Sequence, residues 1–362
     1  MSGPKTHSWI KDLNVYSVGK STTEYAENPV KLSANESPLG ASPMAMEAYS
    51  DAAEELHRYP DPTYNDLRSA LAHKYNIDPG RIVCGVGSDE ILKLACRAYL
   101  SPGDEVIYVA HSFSMYPIAT KSVGGVPIEV ADVNYTANVD NILAVITDKT
   151  RIIFLANPNN PTGTYIPISE VERLWDNVPN NILLVLDAAY AEFVDKPDYD
   201  AGIDLVERST NVLMTRTFSK LYGLAALRLG WGYACKEIAQ TLDKVRDPFN
   251  VPSSAQVAGV GALKDKEFEK TAIAYNKKWL KWLSSELSDL GLVIIPSETN
   301  FILIKFKEGN IKASAANDYL LKNGYILRYY SGEDLDDCLR LTVGTEPQNQ
   351  QVIALFKEFM EA

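Results

Sequence analysis

Residues 211–234 read NVLMTRTFSKLYGLAALRLGWGYA, and this stretch decides both how the chain folds and where its chemistry lies. The apolar run Asn211-Val212-Leu213-Met214 leads through Thr217, Phe218 and Ser219 to Lys220, and Arg228 follows eight residues after the lysine. A lysine that closes a short polar turn after an apolar strand is drawn out of water. Burial favours its neutral amine, the form that condenses with a carbonyl. The hydroxyls and the guanidinium around it suit a phosphate. An aldehyde and a phosphate in one ligand describe pyridoxal 5'-phosphate, held by Lys220 as a Schiff base.

The other groups such a cofactor needs stand in order along the chain. A pyridinium nitrogen requires a carboxylate, and Asp187 ends the apolar run Ile182-Leu183-Leu184-Val185-Leu186. Ligands of open α/β sheets collect at such carboxyl ends of strands. Tyr190 and the amide of Asn160, in Asn157-Pro158-Asn159-Asn160-Pro161-Thr162-Gly163, are candidates to hydrogen-bond the cofactor's phenolic oxygen and favour its anion. In Cys84-Gly85-Val86-Gly87-Ser88-Asp89-Glu90 the glycines admit close backbone approach, and the amides of Ser88 and Asp89 open a helix toward a phosphate. Glu90, counted with Ser88 and Asp89 among the cofactor-binding residues, stands where a dinucleotide fingerprint has its third glycine, which argues against a dehydrogenase. Singly, each of these segments also reads as an ordinary turn. Their joint order gives them meaning.

Strand-like runs alternate with helical patterns from about residue 60 to 245. The strands expected are Arg81–Cys84, Glu105–Val109, Val126–Val130, Arg151–Ala156, Ile182–Asp187, Asn211–Thr215 and Leu229–Ala234, and helices Tyr64–Tyr75, Glu90–Leu100, Met115–Val123 and Ile168–Trp175 lie between them. Continuous apolar strands separated by helices predict an α/β fold with a mostly parallel sheet between two helical layers. After Pro248 and Pro252 the pattern changes to long helices and short strands, Leu292–Ile295, Asn300–Lys305, Tyr325–Tyr329 and Cys338–Val343, closing with a helix at Gln348–Met360. The expected division is an N-terminal arm over residues 1–35, a large cofactor-binding domain over 36–247 and a small α+β domain over 248–362. The arm is expected to pack on the small domain or on a partner subunit. The stripe Phe268, Tyr275, Trp279 and Trp282 reads as a helix packing face.

Composition fits a soluble enzyme: 362 residues, 46% hydrophobic, with a net charge of −12 that disfavours a nucleic-acid surface. No apolar run approaches the roughly 20 residues of a membrane span, and the first residues are too polar for a signal peptide, so a cytoplasmic location is expected. Cys84, Cys96, Cys235 and Cys338 are scattered through apolar segments and read as reduced core residues. With four histidines in no ligating pattern, no metal is expected. His111 reads as a loop histidine with a structural hydrogen bond.

The order Asn160, Asp187, Tyr190, Lys220, Arg228 resembles that of the fold type I aminotransferases over nearly the whole chain. Within them the chain resembles the histidinol-phosphate aminotransferases, through Lys31-Leu32-Ser33-Ala34-Asn35-Glu36-Ser37-Pro38-Leu39-Gly40, Arg58-Tyr59-Pro60-Asp61-Pro62, Gly87-Ser88-Asp89-Glu90, the Lys220 segment, and Cys338-Leu339-Arg340-Leu341-Thr342-Val343-Gly344-Thr345. The resemblance implies a ring-stacking role for Phe113 and a homodimer in which Tyr59 reaches the phosphate of the neighbouring site. It implies that Arg340, aided by Arg328, binds glutamate's carboxylate or the phosphate of histidinol phosphate, and that Tyr16 and Asn35 line the pocket. Tyr16-Ser17-Val18-Gly19-Lys20 departs from the family pattern, which has proline before the glycine. The implied reaction is a ping-pong exchange of an amino group between histidinol phosphate and 2-oxoglutarate in histidine biosynthesis. An aromatic or arogenate aminotransferase and a threonine-phosphate decarboxylase stand as alternatives. A cofactor-sensing regulatory module is a further one, for which the chain shows no DNA-binding extension.

Overall fold

The computed structural model describes residues 3–11, 13, 19–307, 312–330 and 334–361. Seven strands form its central sheet: β1 (Ile82–Val86), β2 (Glu105–Val109), β3 (Val126–Val130), β4 (Thr150–Ala156), β5 (Leu183–Asp187), β6 (Val212–Thr217) and β7 (Leu229–Ala234). Their spatial order is β1-β7-β6-β5-β4-β2-β3. All neighbours run parallel except at β7, which is antiparallel to both β1 and β6. Alternation along each strand divides the core between the two faces of the sheet. Ile107, Ile153, Leu155, Leu184, Leu186, Val212 and Met214 join one apolar cluster, while Val106, Ile152, Phe154, Leu183, Val185 and Leu213 join another. Two apolar faces explain why these strands read as unbroken hydrophobic runs.

A second sheet of four antiparallel strands, β8 (Val293–Ile295), β9 (Phe301–Lys305), β10 (Arg328–Tyr329) and β11 (Cys338–Thr342), has the order β10-β11-β9-β8. The expected strand Tyr325–Tyr329 is two pieces. Tyr325–Ile326 pairs with Val30–Lys31 of the arm, and Arg328–Tyr329 pairs with β11. The break at Leu327, whose side chain is buried, lets the chain serve two partners.

The core does not change hands at residue 248. Val251, Ala255, Ala258 and Ala262 pack in the large cluster, and so does Ala272 on the helix Lys266–Asp289. Farther along that helix, Trp279, Leu283 and Leu287 belong to the cluster under the second sheet. One helix of 24 residues therefore spans both cores. The arm also divides its contacts. Its helix Ser8–Lys11 lies against the helix Met115–Ser122 beside the large sheet, with Trp9 close enough to meet a Cβ built on Gly124 at 3.2 Å. The strand at Val30–Lys31 runs along the second sheet's side.

The two sheets meet at Gly163. There φ is +81°, and a Cβ would come within 2.3 Å of Ser297 Oγ and 3.1 Å of Ser297 Cα. The Glu298 amide donates to the Gly163 carbonyl at 2.9 Å. All four cysteines are buried and unpaired. Among the described residues no helix is long and apolar enough to cross a membrane, and no cluster of His, Cys, Asp or Glu could hold a metal ion.

Gly230 of β7 sits against the start of the helix Ser88–Tyr99: a Cβ there would lie 2.2 Å from the Ser88 amide nitrogen. Backbone cannot yield as a flexible side chain can, so Gly230→Ala is expected to cost at least about 1–3 kcal/mol. Thermal and urea unfolding of the variant will measure the loss.

Candidate active site

The carboxyl ends of β2, β4, β5 and β6 open into one cavity of about 700 Å³, closed on its other side by the arm and the second sheet. Its lining includes Asn35, Ser88, Asp89, Phe113, Asn160, Asp187, Tyr190, Thr217, Ser219, Lys220, Arg228, Arg328 and Arg340. Segments up to about 300 residues apart in sequence thus meet around one space.

Lys220 lies on the turn after β6, and its Nζ donates to the Ala34 carbonyl at 3.3 Å. Burial, reinforced by the positive charge of Arg340, lowers its pKa from 10.5 to about 8. The amine also lies 5.7 Å from the centre of the Tyr190 ring. Across the floor, Asp187 ends β5 with its carboxylate buried. Tyr116 and Thr215 donate to its two oxygens at 2.9 and 3.3 Å. Burial outweighs these bonds and pushes its pKa up to about 6. A cationic N–H beside it would pull it back down.

Tyr190 is buried, with its ring edge-on to Phe301. Asn35 Nδ2 donates to the Tyr190 hydroxyl oxygen at 2.9 Å. This leaves the phenolic hydrogen free to point elsewhere. Asn35 is itself fixed: its backbone amide donates to Thr342 Oγ1 at 3.0 Å and its carbonyl accepts from Asn300 at 3.0 Å. Its φ of 55° is one that asparagine tolerates better than most residues.

Arg340 sits in the middle of β11, directly across from Arg328 of β10. Like charges set opposite one another on a sheet are unfavourable unless something anionic joins them. Arg340 is buried, and among the described residues its guanidinium donates to uncharged oxygens, Asn160 Oδ1 and Ser33 O, while its Nε is buried without a partner. The Arg340 guanidinium is thus placed to take an anion.

At the other end, Arg228 adopts φ 52° and reaches Ser219 Oγ at 3.3 Å, the Ala225 carbonyl at 3.0 Å and Asp89 at 3.2 Å. Gly87, with φ +79°, caps the helix Ser88–Tyr99, and a Cβ there would strike the Arg228 guanidinium at 2.7 Å. The first amides of that helix have no intrahelical acceptor. Hydroxyls, guanidinium and helix amides therefore form a phosphate cradle, and an acidic group, a phenol and an amine line the wall beyond it. This donor set and the volume fit pyridoxal phosphate.

The family to which these features point is matched over most of the chain: residues 27–356 fit the profile of aminotransferase class I and II. The chain belongs to that family. It is 50% identical, over 100% of both chains, to the histidinol-phosphate aminotransferase of Paramagnetospirillum magneticum. It is also 50% identical to that of Dinoroseobacter shibae, over 92% of each. Among solved structures, the histidinol-phosphate aminotransferase of Sinorhizobium meliloti in complex with pyridoxal-5'-phosphate superposes with a TM-score of 0.92 at 26% identity, covering 99% of this chain and 98% of that one. Aspartate aminotransferase from Thermus thermophilus with maleate shares the fold, with a TM-score of 0.83 at 21% identity, covering 98% of this chain and 100% of that one.

Of the residues expected at this aminotransferase cavity, Glu90 does not line it, and Tyr59, expected to reach a neighbouring site, lies outside it. Glu90 turns away from it and accepts from the Val86 amide at 2.6 Å and from Asn250 at 2.7 Å, because its place in the first helical turn aims it back along the strand. Tyr59 is 83% exposed and stacks on Phe249, with ring centres 4.8 Å apart. Tyr16 lies outside the described residues. The structure also adds Tyr116, whose hydroxyl holds Asp187, while His111 has the structural hydrogen bond expected of it, to Asp132 at 2.7 Å. The bond to Asp132 raises the pKa of His111 against the opposing effect of burial. Tyr116 lies in the same short segment as Phe113, but only helical geometry brings it beneath the carboxylate.

Because Lys220 is neutral above pH of about 8, its acylation in the cofactor-free protein should rise with a midpoint there instead of near 10.5. Arg340→Met removes a positive neighbour and should move that midpoint upward, part of the way only, since burial is the larger cause. Peptide mass mapping of timed acylation across pH will read both midpoints.

Proposed function

We propose that this chain is a pyridoxal-phosphate-dependent aminotransferase of histidine biosynthesis, exchanging an amino group between L-histidinol phosphate and 2-oxoglutarate to give imidazole acetol phosphate and L-glutamate. The observation that carries the reading is the pairing, across one cavity, of the low-pKa amine of Lys220 with the buried, anion-deficient guanidinium of Arg340. The identity to the Paramagnetospirillum magneticum enzyme over the full length of both chains supports the choice of substrate.

When bound, pyridoxal phosphate supplies an aldehyde that captures amines and a protonated ring that takes up electrons from the substrate's α-carbon. Asp187 would hold the ring nitrogen's proton, with Tyr116 and Thr215 keeping the carboxylate in place. Tyr190 and Asn160 would donate to the phenolic oxygen. Phe113 would cover the ring, excluding water and fixing its plane. Ser88, Asp89, Thr217, Ser219 and Arg228 would hold the phosphate. Lys220 Nζ would take the proton from the substrate α-carbon as general base and deliver it, as general acid, to the carbon that carried the cofactor's aldehyde. Arg340 and Arg328 would bind the carboxylate of glutamate in one half-reaction and the phosphate of histidinol phosphate in the other.

The same reading includes a cytoplasmic homodimer. Among the described residues, Met44, Met46, Tyr49, Leu56, Tyr59, Phe249 and Val257 make up most of the large apolar side chains that are exposed. They come from two segments that pack on one another, the helices Pro43–Asp51 and Ser253–Lys264 with their flanking loops. A second copy covering them would bring Tyr59 to the neighbouring phosphate cradle. The domain division we propose keeps the arm and two lobes, with the boundary moved into the helix Lys266–Asp289.

Lys220→Ala is expected to keep binding the cofactor noncovalently and to lose turnover by at least about 10²-fold, the lower end of what acid–base catalysis contributes. Near-normal transamination by this variant would refute the assignment. The substrate is tested by comparing histidinol phosphate, phenylalanine, tyrosine and threonine phosphate as donors or substrates. Histidinol phosphate should lead, and negligible turnover of it alone would overturn the reading. Arg340→Gln should lower kcat/KM for glutamate by about 10²-fold, the scale set by removing one partner of a buried charge pair.

A further inference from the structure

Glu90 poses a physical question. A carboxylate beside a phosphate site repels the ligand, and yet one is built into the first turn of the helix that cradles it. Its surroundings give the answer. In a usual capping box, a glutamate at the third helical position returns to the amide of the cap residue. Here Glu90 Oε2 reaches one residue farther, to the Val86 amide at 2.6 Å, and so pins the backbone on the strand side of Gly87. The fit is close: a Cβ on Gly85 would come within 3.1 Å of the same oxygen.

That oxygen accepts a second bond, from Asn250 Nδ2 at 2.7 Å, and Asn250 also donates to the Cys84 carbonyl at 3.3 Å. The Tyr64 hydroxyl donates in turn to Asn250 Oδ1. Tyr64 is fully buried, with the guanidiniums of Arg68 and Arg246 at 5.5 and 4.9 Å from its ring centre. Arg246 also donates to the Pro62 carbonyl at 2.7 Å. Tyr64 and Asn250 each stand a few residues from a member of the exposed Tyr59–Phe249 stack, Asn250 immediately after Phe249. A run of part-buried hydrogen bonds therefore joins the phosphate-facing turn to Asn250 and Tyr64, and the backbone carries the link on to the exposed aromatic pair, since Asn250 directly follows Phe249.

We infer that Glu90 is a positioning residue that locks the Val86–Ser88 turn to the segments bearing Tyr59 and Phe249, so that filling the phosphate cradle and pairing two copies of the chain are energetically coupled. The inference rests on the proposed cofactor and dimer. By linkage, whatever factor a filled cradle adds to association, association adds to cofactor affinity.

The test compares wild type, Glu90→Ala, Glu90→Gln and Asn250→Ala. Absorbance titrations give the affinities for pyridoxal phosphate and for pyridoxal, which lacks the phosphate, and sedimentation equilibrium gives the dimer Kd with and without each. Glu90→Ala should bind pyridoxal phosphate about tenfold more weakly, the scale of one charge-assisted hydrogen bond, with pyridoxal affinity unchanged. Glutamine keeps an acceptor oxygen and should restore most of the loss. Asn250→Ala should behave like Glu90→Ala and serves if that variant does not fold. In wild type the phosphate form should tighten the dimer more than pyridoxal does, and in both alanine variants that difference should shrink to the part Tyr59 supplies directly; an undiminished difference would overturn the coupling through Glu90. Unchanged affinity for pyridoxal phosphate, an equal loss for pyridoxal, or a glutamine variant as weak as alanine would each overturn the inference alone. A wild-type chain that bound neither compound would overturn the proposed function and this inference with it.

Discussion

The removal of the Lys220 amine from water beside a second buried cation is the constraint on which the rest depends. Desolvation and Arg340 both disfavour the ammonium, so the amine's pKa falls from 10.5 to about 8 and its nucleophilic form comes within reach of physiological pH. Maintaining that environment requires the arm, the large sheet and the small sheet together. The carbonyl of Ala34 holds the amine, β6 presents it, and β11 supplies the neighbouring charge. No single lobe contains the chemistry.

Two buried charges of one sign, Lys220 and Arg340, are tolerable because each is only partly satisfied by neutral oxygens and faces a space that an anion can enter. The same logic applies in reverse at Asp187, a carboxylate raised to about 6 by burial and held by two hydroxyls. The cavity is thus poised against its own ionisation states, and a ligand carrying opposite charges at matching places relieves both. This reading follows from the electrostatics, whichever member of the family the chain proves to be.

Most of the central sheet was legible in the sequence, because strands buried on two faces leave unbroken apolar runs and their carboxyl ends are marked by polar turns. Glu105–Val109, Val126–Val130 and Leu229–Ala234 have the bounds their composition suggests. Asp187 and Lys220 were visible for the same reason, since each ends such a run. What stayed hidden depends on packing between distant segments. Nothing local distinguishes the Ala272 end of the helix Lys266–Asp289 from its Trp279 end, although they serve different cores. Glu90 looked like a ligand contact because it is two residues from Ser88, but rotation of about 100° per helical residue aims it elsewhere. The function of Tyr116 likewise rests on which strand lies beneath its helix.

Gly163 joins the two lobes through main chain. Its carbonyl and its bare α-carbon seat the Ser297–Glu298 backbone against the turn that carries Asn160. A contact between two main chains has little freedom to slide, and the Arg340 guanidinium donates to Oδ1 of the same Asn160. The hold on a substrate anion and the hold on the cofactor are therefore kept in one register.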